Sequence, residues 1–126
     1  MDVQQQANIR NFLFEFKRIA TEGRGIDFVP RRENLETLAE LGLTVRNARD
    51  EITGLSVSDY CEGPIPDKDK PGNVWVFGKE IGGKEVYIKI RIASTEDKKI
   101  AKCISFHSSR RPLRFPYRNQ KGRGQK

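Results

Sequence analysis

The stretch Glu85–Ala93, EVYIKIRIA, alternates without a slip: Val86, Ile88, Ile90 and Ile92 take one parity, Tyr87, Lys89 and Arg91 the other. A β-strand sends successive side chains to opposite faces, so one face is aliphatic and the other presents a phenol, an ammonium and a guanidinium. The aliphatic face has to be covered. Two further strands are predicted beside it, in NVWVFGKE and KKIAKCISFHS, the first joined by a hairpin turn at Gly82–Gly83. Centring that turn on the glycines sets Trp75 opposite Ile90 and Phe77 opposite Ile88, on the core side. Val76 then faces Lys89, and Gly78 faces Tyr87, on the other side. A second hairpin centred near Asp97 sets Tyr87 opposite His107, Lys89 opposite Ser105 and Arg91 opposite Cys103. Ile104 and Phe106 then join the core.

The preceding residues supply the cover. In QQANIRNFLFEFKRIAT, Ile9, Phe12, Leu13, Phe16 and Ile19 recur at three- and four-residue spacing, which predicts an amphipathic helix ended by EGRG. IDFVPR reads as a short edge strand. ENLETLAEL predicts a second helix, with Leu35, Leu38 and Leu41 inward and Gly42 as its stop. Thr44 is placed to cap a third. Ser56-x-x-Asp59 suggests one more turn of helix, and PIPDKDKPG a polar loop. The fold class expected is α+β: N-terminal helices packed on one face of a small antiparallel sheet. Residues 1–113 form a single domain and 114–126 a basic arm, partly disordered.

Charge is unevenly spread. Residues 1–85 hold 12 Lys/Arg and 15 Asp/Glu, whereas residues 86–126 hold 12 Lys/Arg and 2 Asp/Glu. A basic pole of that density attracts polyanions, nucleic acid foremost, with an acidic protein or plain solvation as the alternatives. No apolar run approaches the roughly 20 residues of a membrane span. The N-terminus carries no signal-peptide pattern. Cys61 and Cys103 are too few and too distant for a disulfide framework or a zinc site, so reduced thiols and a cytoplasmic location are expected. GKEIGGK, Gly78–Lys84, matches half of a P-loop. It lacks the following Ser/Thr and lies between strands instead of before a helix.

The predicted polar face gathers Tyr87, Lys89, Arg91, Ser105 and His107, the last being the one histidine in the chain. A lone histidine at a strand end is more often structural. Cationic neighbours, however, favour the neutral imidazole, which is a usable general base. Lys and Arg can hold a phosphate and stabilise charge that builds during transfer. No carboxylate pair or Cys/His cluster suggests a divalent metal, and no cofactor is implied. The groups suit metal-free cleavage of RNA, in which the substrate 2′-hydroxyl is the nucleophile and a 2′,3′-cyclic phosphate the product. Tyr87, Lys89 and His107 are then the catalytic candidates. Arg91, Ser105, Lys79, Arg110, Arg111 and Arg114 are the nucleic-acid-binding ones. Phe115 and Tyr117, interleaved with arginines, either stack on bases or pin the arm to the domain.

The order GLSVSDYCEG, polar loop, VWVFGKE, EVYIKIRI, CISFH resembles the MqsR family of bacterial toxins, from about Leu35 to Phe115, with TGLSVSDY and VYIKI its most specific parts. The resemblance implies a RelE-like fold and a sequence-selective mRNA endoribonuclease. It also implies neutralisation by a cognate antitoxin and, as a complex, action on operator DNA. The family's strand tyrosine corresponds to Tyr87 and its neighbouring lysine to Lys89. Two positions depart: His107 stands where the family has a lysine, and Val76 where it has a glutamine. The first departure moves proton transfer from lysine to histidine; the second bears on cleavage specificity. Two readings without catalysis remain beside it: a nucleic-acid-binding module and a basic protein-interaction domain.

Overall fold

In a computed structural model, which describes residues 2–118, three helices in the N-terminal half pack with a five-stranded mixed sheet, an α+β arrangement; its strands are β1 (Asp27–Phe28), which falls between the first two helices, β2 (Tyr60–Pro66), β3 (Asn73–Ile81), β4 (Lys84–Ser94) and β5 (Lys99–Ser108), in the order β1-β5-β4-β3-β2. Helix α1 (Val3–Glu22) starts where the Asp2 side chain accepts from the Gln5 amide at 2.8 Å. It buries Ile9, Leu13, Phe16 and Ile19. Phe12, on the same stripe, stacks on Trp75 with ring centroids 4.5 Å apart, which holds the helix to β3 (Asn73–Ile81). Helix α2 (Arg32–Leu41) ends at Gly42, whose φ of 71° is the left-handed conformation that glycine adopts without strain. Helix α3 (Val45–Thr53) opens with a capping box: Thr44 Oγ1 accepts from the Asn47 amide, and Asn47 Oδ1 from the Thr44 amide.

The pairing of β3 with β4 (Lys84–Ser94) follows the glycine-centred register throughout, with Trp75 opposite Ile90, Val76 opposite Lys89 and Gly78 opposite Tyr87. The pairing of β4 with β5 (Lys99–Ser108) keeps the expected register only from Ser108 to Ser105. A bulge between Lys89 and Ile90 then slips it by one, so Ile90 faces Cys103 and Arg91 faces Lys102. Ile104 is the residue left over. It lines the polar-face groove with Tyr87 and Lys89 instead of joining the core, because the extra residue of a bulge turns its side chain out of the alternation.

Two strands lie outside the expected sheet. β2 (Tyr60–Pro66) pairs with β3 through an irregular register and takes in the first three residues, Pro64–Pro66, of what the sequence suggested was loop. β1 (Asp27–Phe28) is an edge strand as expected, but it runs parallel to β5 and makes the sheet mixed. The rest of the β5 edge is closed by side chains. Asn34, fully buried, accepts from the Phe106 amide at 2.9 Å and donates to the carbonyls of Val29 and Ile104 at 2.8 and 3.0 Å. Thr37 accepts from the Ser108 amide at 3.2 Å. Helix α2 thus turns Asn34, Thr37 and Leu38 inward and leaves Leu35 45% exposed. The expected leucine stripe holds at Leu38 and Leu41 and fails at Leu35, because part of α2 meets a strand edge, whose backbone groups need polar partners.

Replacing Asn34 by Leu keeps the volume but strands the Phe106 amide and takes a donor from the Val29 and Ile104 carbonyls, the first of which keeps the Arg31 amide at 2.8 Å. A loss of about 3 kcal/mol is expected, read as a lowered urea midpoint, against about 1 kcal/mol for Thr37→Val. Wild-type stability in Asn34→Leu would mean that water satisfies this edge.

Candidate active site

The sheet face turned away from the core is closed at both ends and open between them. At one end the C-terminal arm crosses it. Gly78 has no side chain there because Leu113 and Phe115 fill the space: a Cβ would overlap Leu113 and lie 3.1 Å from Phe115. The Glu85 carboxylate accepts from the Leu113 amide at 3.0 Å. Arg118 lies over the Phe115 ring at 3.7 Å and reaches Asp59 at 3.2 Å, and the Tyr117 hydroxyl donates to Gln5. Phe115 and Tyr117 therefore pin the arm. Residues 119–126 of the expected basic arm lie outside the described residues.

At the other end the β2–β3 loop closes over Arg91. Its guanidinium bonds the Asp67 carboxylate and donates to the Pro71 carbonyl at 2.5 Å. Arg91 is 6% exposed. The Asp69 amide, and then Arg91, hold the Asp67 carboxyl below its usual range. Arg91 thus fastens a loop and does not present an open cation, although the strand alternation put it on the right face.

Between these covers runs a groove of about 960 Å³. Tyr87 and Lys89 stand on its floor beside Ile104. Arg31, Lys68, Lys70 and Lys102 line its walls, and Asp67 and Asp69 are its carboxylates. Lys102 is shared with Asp27 at 3.4 Å. Lys89 has no carboxylate within ion-pair distance among the described residues. Ser105 is buried, and its hydroxyl accepts from Arg31 at 3.3 Å. It braces Arg31 and does not itself face the groove. Arg31 was not expected here. It lies just before α2, and only the parallel docking of β1 brings it to β5; local sequence carries no sign of that pairing.

His107 lies beyond Tyr87, with the two rings stacked at a centroid distance of 5.3 Å and 19° between planes. Its Nδ1 lies 3.1 Å from the Ser108 carbonyl. A carbonyl can only accept, so this bond places the hydrogen on Nδ1 and leaves Nε2 as the lone-pair nitrogen of the neutral ring. The Glu33 carboxylate lies 3.9 Å from Nε2. The expected all-cationic setting of His107 is corrected by α2, which brings Glu33 to the end of β5. Glu33 also meets Arg110 at 3.3 Å. Burial, with smaller contributions from Glu62 and Cys61, pushes the Tyr87 phenol above its ordinary value, so it stays protonated and able to donate a hydrogen bond at neutral pH.

The remaining candidates divide by position. Lys79 falls on the core side, opposite Val86, where it bonds the Glu51 carboxylate at 3.1 Å and the Glu51 carbonyl at 3.2 Å. It is away from the groove. Arg111 and Arg114 are exposed on the arm. Among the described residues no group of three or more His, Cys, Asp or Glu is disposed to hold a metal ion, and no helix is long and apolar enough to cross a membrane. No protein-family model matches the chain, and no curated protein or solved structure is significantly similar to it.

Two outcomes are expected. Asp67→Asn or Arg91→Ala should release the β2–β3 loop and speed tryptic cleavage after Lys68 by about tenfold. An unchanged rate would mean that the ion pair does not hold it. Burial pushes the thiols of Cys61 and Cys103 up to about 12, against about 8.5 to 9 for a free thiol, so their thiolate fraction at pH 8 falls by about a thousandfold. The native protein should resist iodoacetamide at pH 8 and react fully once unfolded, as read by mass spectrometry.

Proposed function

We propose that the chain is an endoribonuclease that needs no metal ion, the toxin half of a toxin–antitoxin pair, acting on mRNA in the cytoplasm. The observation that carries this reading is the stacked Tyr87–His107 pair at the end of a basic groove, with Nδ1 committed to a carbonyl and Nε2 left as a base. In the proposed step, Nε2 of His107 takes the 2′-hydroxyl proton and the 2′-oxygen bonds to phosphorus. The bond from phosphorus to the 5′-oxygen breaks, and that oxygen takes a proton from the Lys89 ammonium. The Tyr87 phenol donates to a non-bridging oxygen, where charge builds. Solvent then restores both protonation states. Products carry 2′,3′-cyclic phosphate and 5′-hydroxyl ends.

Lys68, Lys70 and Arg31 hold flanking phosphates in this reading, and Arg110, Arg111 and Arg114 extend the positive field past the sheet. The resemblance of GLSVSDYCEG and VYIKI to MqsR toxins supports it independently of the geometry. An antitoxin would cover the groove with an acidic segment, and the covered complex would be the form that meets operator DNA. The second reading, a nucleic-acid-binding module without catalysis, draws on the same groove and treats the Tyr87–His107 stack as a platform for a base.

Purified protein incubated with long single-stranded RNA in EDTA separates the two. Discrete fragments with cyclic phosphate ends are expected, with the rate falling about a hundredfold or more in His107→Ala and about tenfold in Tyr87→Phe. Wild-type rates in both variants would remove the assigned site. Uncut RNA that shifts on a gel, with steep salt dependence, would establish the binding module.

A further inference from the structure

A second concavity, of about 400 Å³, lies on the core side of the sheet at the β1–β5 end. It shares no lining residue with the groove. Its floor is aliphatic, made by Ile19, Ile26, Ile100 and Ala101, and its rim is cationic, made by Arg24, Arg49, Lys98 and Lys99. The carboxylate that lines it, Asp27, is matched by Lys102 at 3.4 Å.

The local sequence builds this cleft. After α1 the chain turns through Gly25 at φ 88°. The Gly23 amide bonds the Ile19 carbonyl at 2.9 Å, and the Gly25 amide bonds the Ala20 carbonyl at 3.0 Å. Two of the helix-end carbonyls that would repel an anion, those of Ile19 and Ala20, are thereby satisfied. None of the four rim cations hydrogen-bonds them, so capping α1 does not account for the rim. A Cβ on Gly25 would meet nothing within 4 Å, so the turn borders open space. On the far wall the β4–β5 turn is tied at Thr95, whose amide bonds the Lys98 carbonyl at 2.8 Å and whose hydroxyl accepts from the Lys98 amide at 3.2 Å. This fixes the root of the Lys98 side chain. Arg49 is held by its Nε, which donates to the Ile26 carbonyl at 2.8 Å, and its terminal nitrogens have no bond among the described residues. Lys99 is shared with Glu15 at 3.2 Å. Arg24 and Lys98 have no side-chain bond or ion pair among the described residues.

Unmatched cations over an aliphatic floor, in a volume suited to a small molecule, fit a ligand that is flat and apolar at one end and anionic at the other. We infer that this cleft binds a nucleoside phosphate, with its base against Ile100, the half-buried residue of the floor, and its phosphate between Arg24, Arg49 and Lys98. The inference stands apart from the ribonuclease reading. The same chemistry is offered by a free mononucleotide and by a nucleotide within an RNA strand.

The test is an NMR titration of the isotopically labelled full chain with AMP, adenosine, inorganic phosphate and a 2′-O-methyl decanucleotide that cannot be cut. AMP should move the amides of residues 23–26 and 98–101 saturably. Adenosine or phosphate alone should bind about tenfold more weakly. The double variant Arg24→Glu/Lys98→Glu, both exposed, should weaken AMP about tenfold or more while the remaining amides keep their positions. If the decanucleotide moves the same amides and AMP displaces it, the ligand is part of a strand; if AMP alone acts there, it is a free nucleotide. An AMP response confined to Tyr87 and Lys89, no response, or an equal response to inorganic phosphate would overturn the inference.

Discussion

The rest of the structure depends on the pairing of β4 on both sides. A strand with neighbours at both edges has all its backbone groups satisfied, so its two faces can differ completely in chemistry. Val86, Ile88 and Ile90 are fully buried under the helices, while Tyr87 and Lys89 stand on the opposite face within a few ångströms of the same backbone. The core thereby positions the site: a register error large enough to misplace Lys89 would also expose isoleucines. The bulge after Lys89 is the one relaxation of that rule, and it lies where Arg91 meets the loop and Ile104 meets the groove.

Legibility in the sequence followed the range of the interaction. The β3–β4 register, the Gly42 stop and the Thr44 cap rest on neighbours along the chain or across a two-residue turn, and each appears as read. β2 was hidden because Ser56-x-x-Asp59 suggests a helical turn and the prolines and charges of Pro64–Gly72 mark a loop, yet edge strands admit both proline and charge. The docking of β1 onto β5, the inward turn of Asn34 and the Asp67–Arg91 pair join residues far apart in sequence, and no local pattern encodes them. For the candidate site this meant that which residues share a face could be read, while which of them are occupied could not. Tyr87 stacks on His107 and shares the groove with Lys89, while His107 is not among the groove's lining residues. Arg91 is spent on a loop, Lys79 on Glu51, and Ser105 on Arg31.

The basic pole is accordingly less open than its composition implies. Arg91, Arg110 and Arg118 each meet an acidic group from the N-terminal two-thirds of the chain, so the charge asymmetry along the sequence becomes internal cross-bracing. Among the described residues, what is left facing outward includes the cations of the groove, of the cleft beside Gly25, and Arg111 and Arg114 on the arm. Such placement favours recognition of anions at defined spacing over diffuse attraction to any polyanion.

Pro64 and Pro66 lie in β2, the outer strand on one side of the sheet. Neither has an N–H to offer, and on the other side the edge strand β1 is two residues long, with Asn34 and Thr37 bonding the Phe106 and Ser108 amides of β5 beyond it. A passing extended chain therefore finds no continuous ladder to zip onto at either margin. At these margins an approaching chain meets proline rings and side-chain amides and hydroxyls before it meets open backbone, which turns the sheet's borders from adhesive into inert.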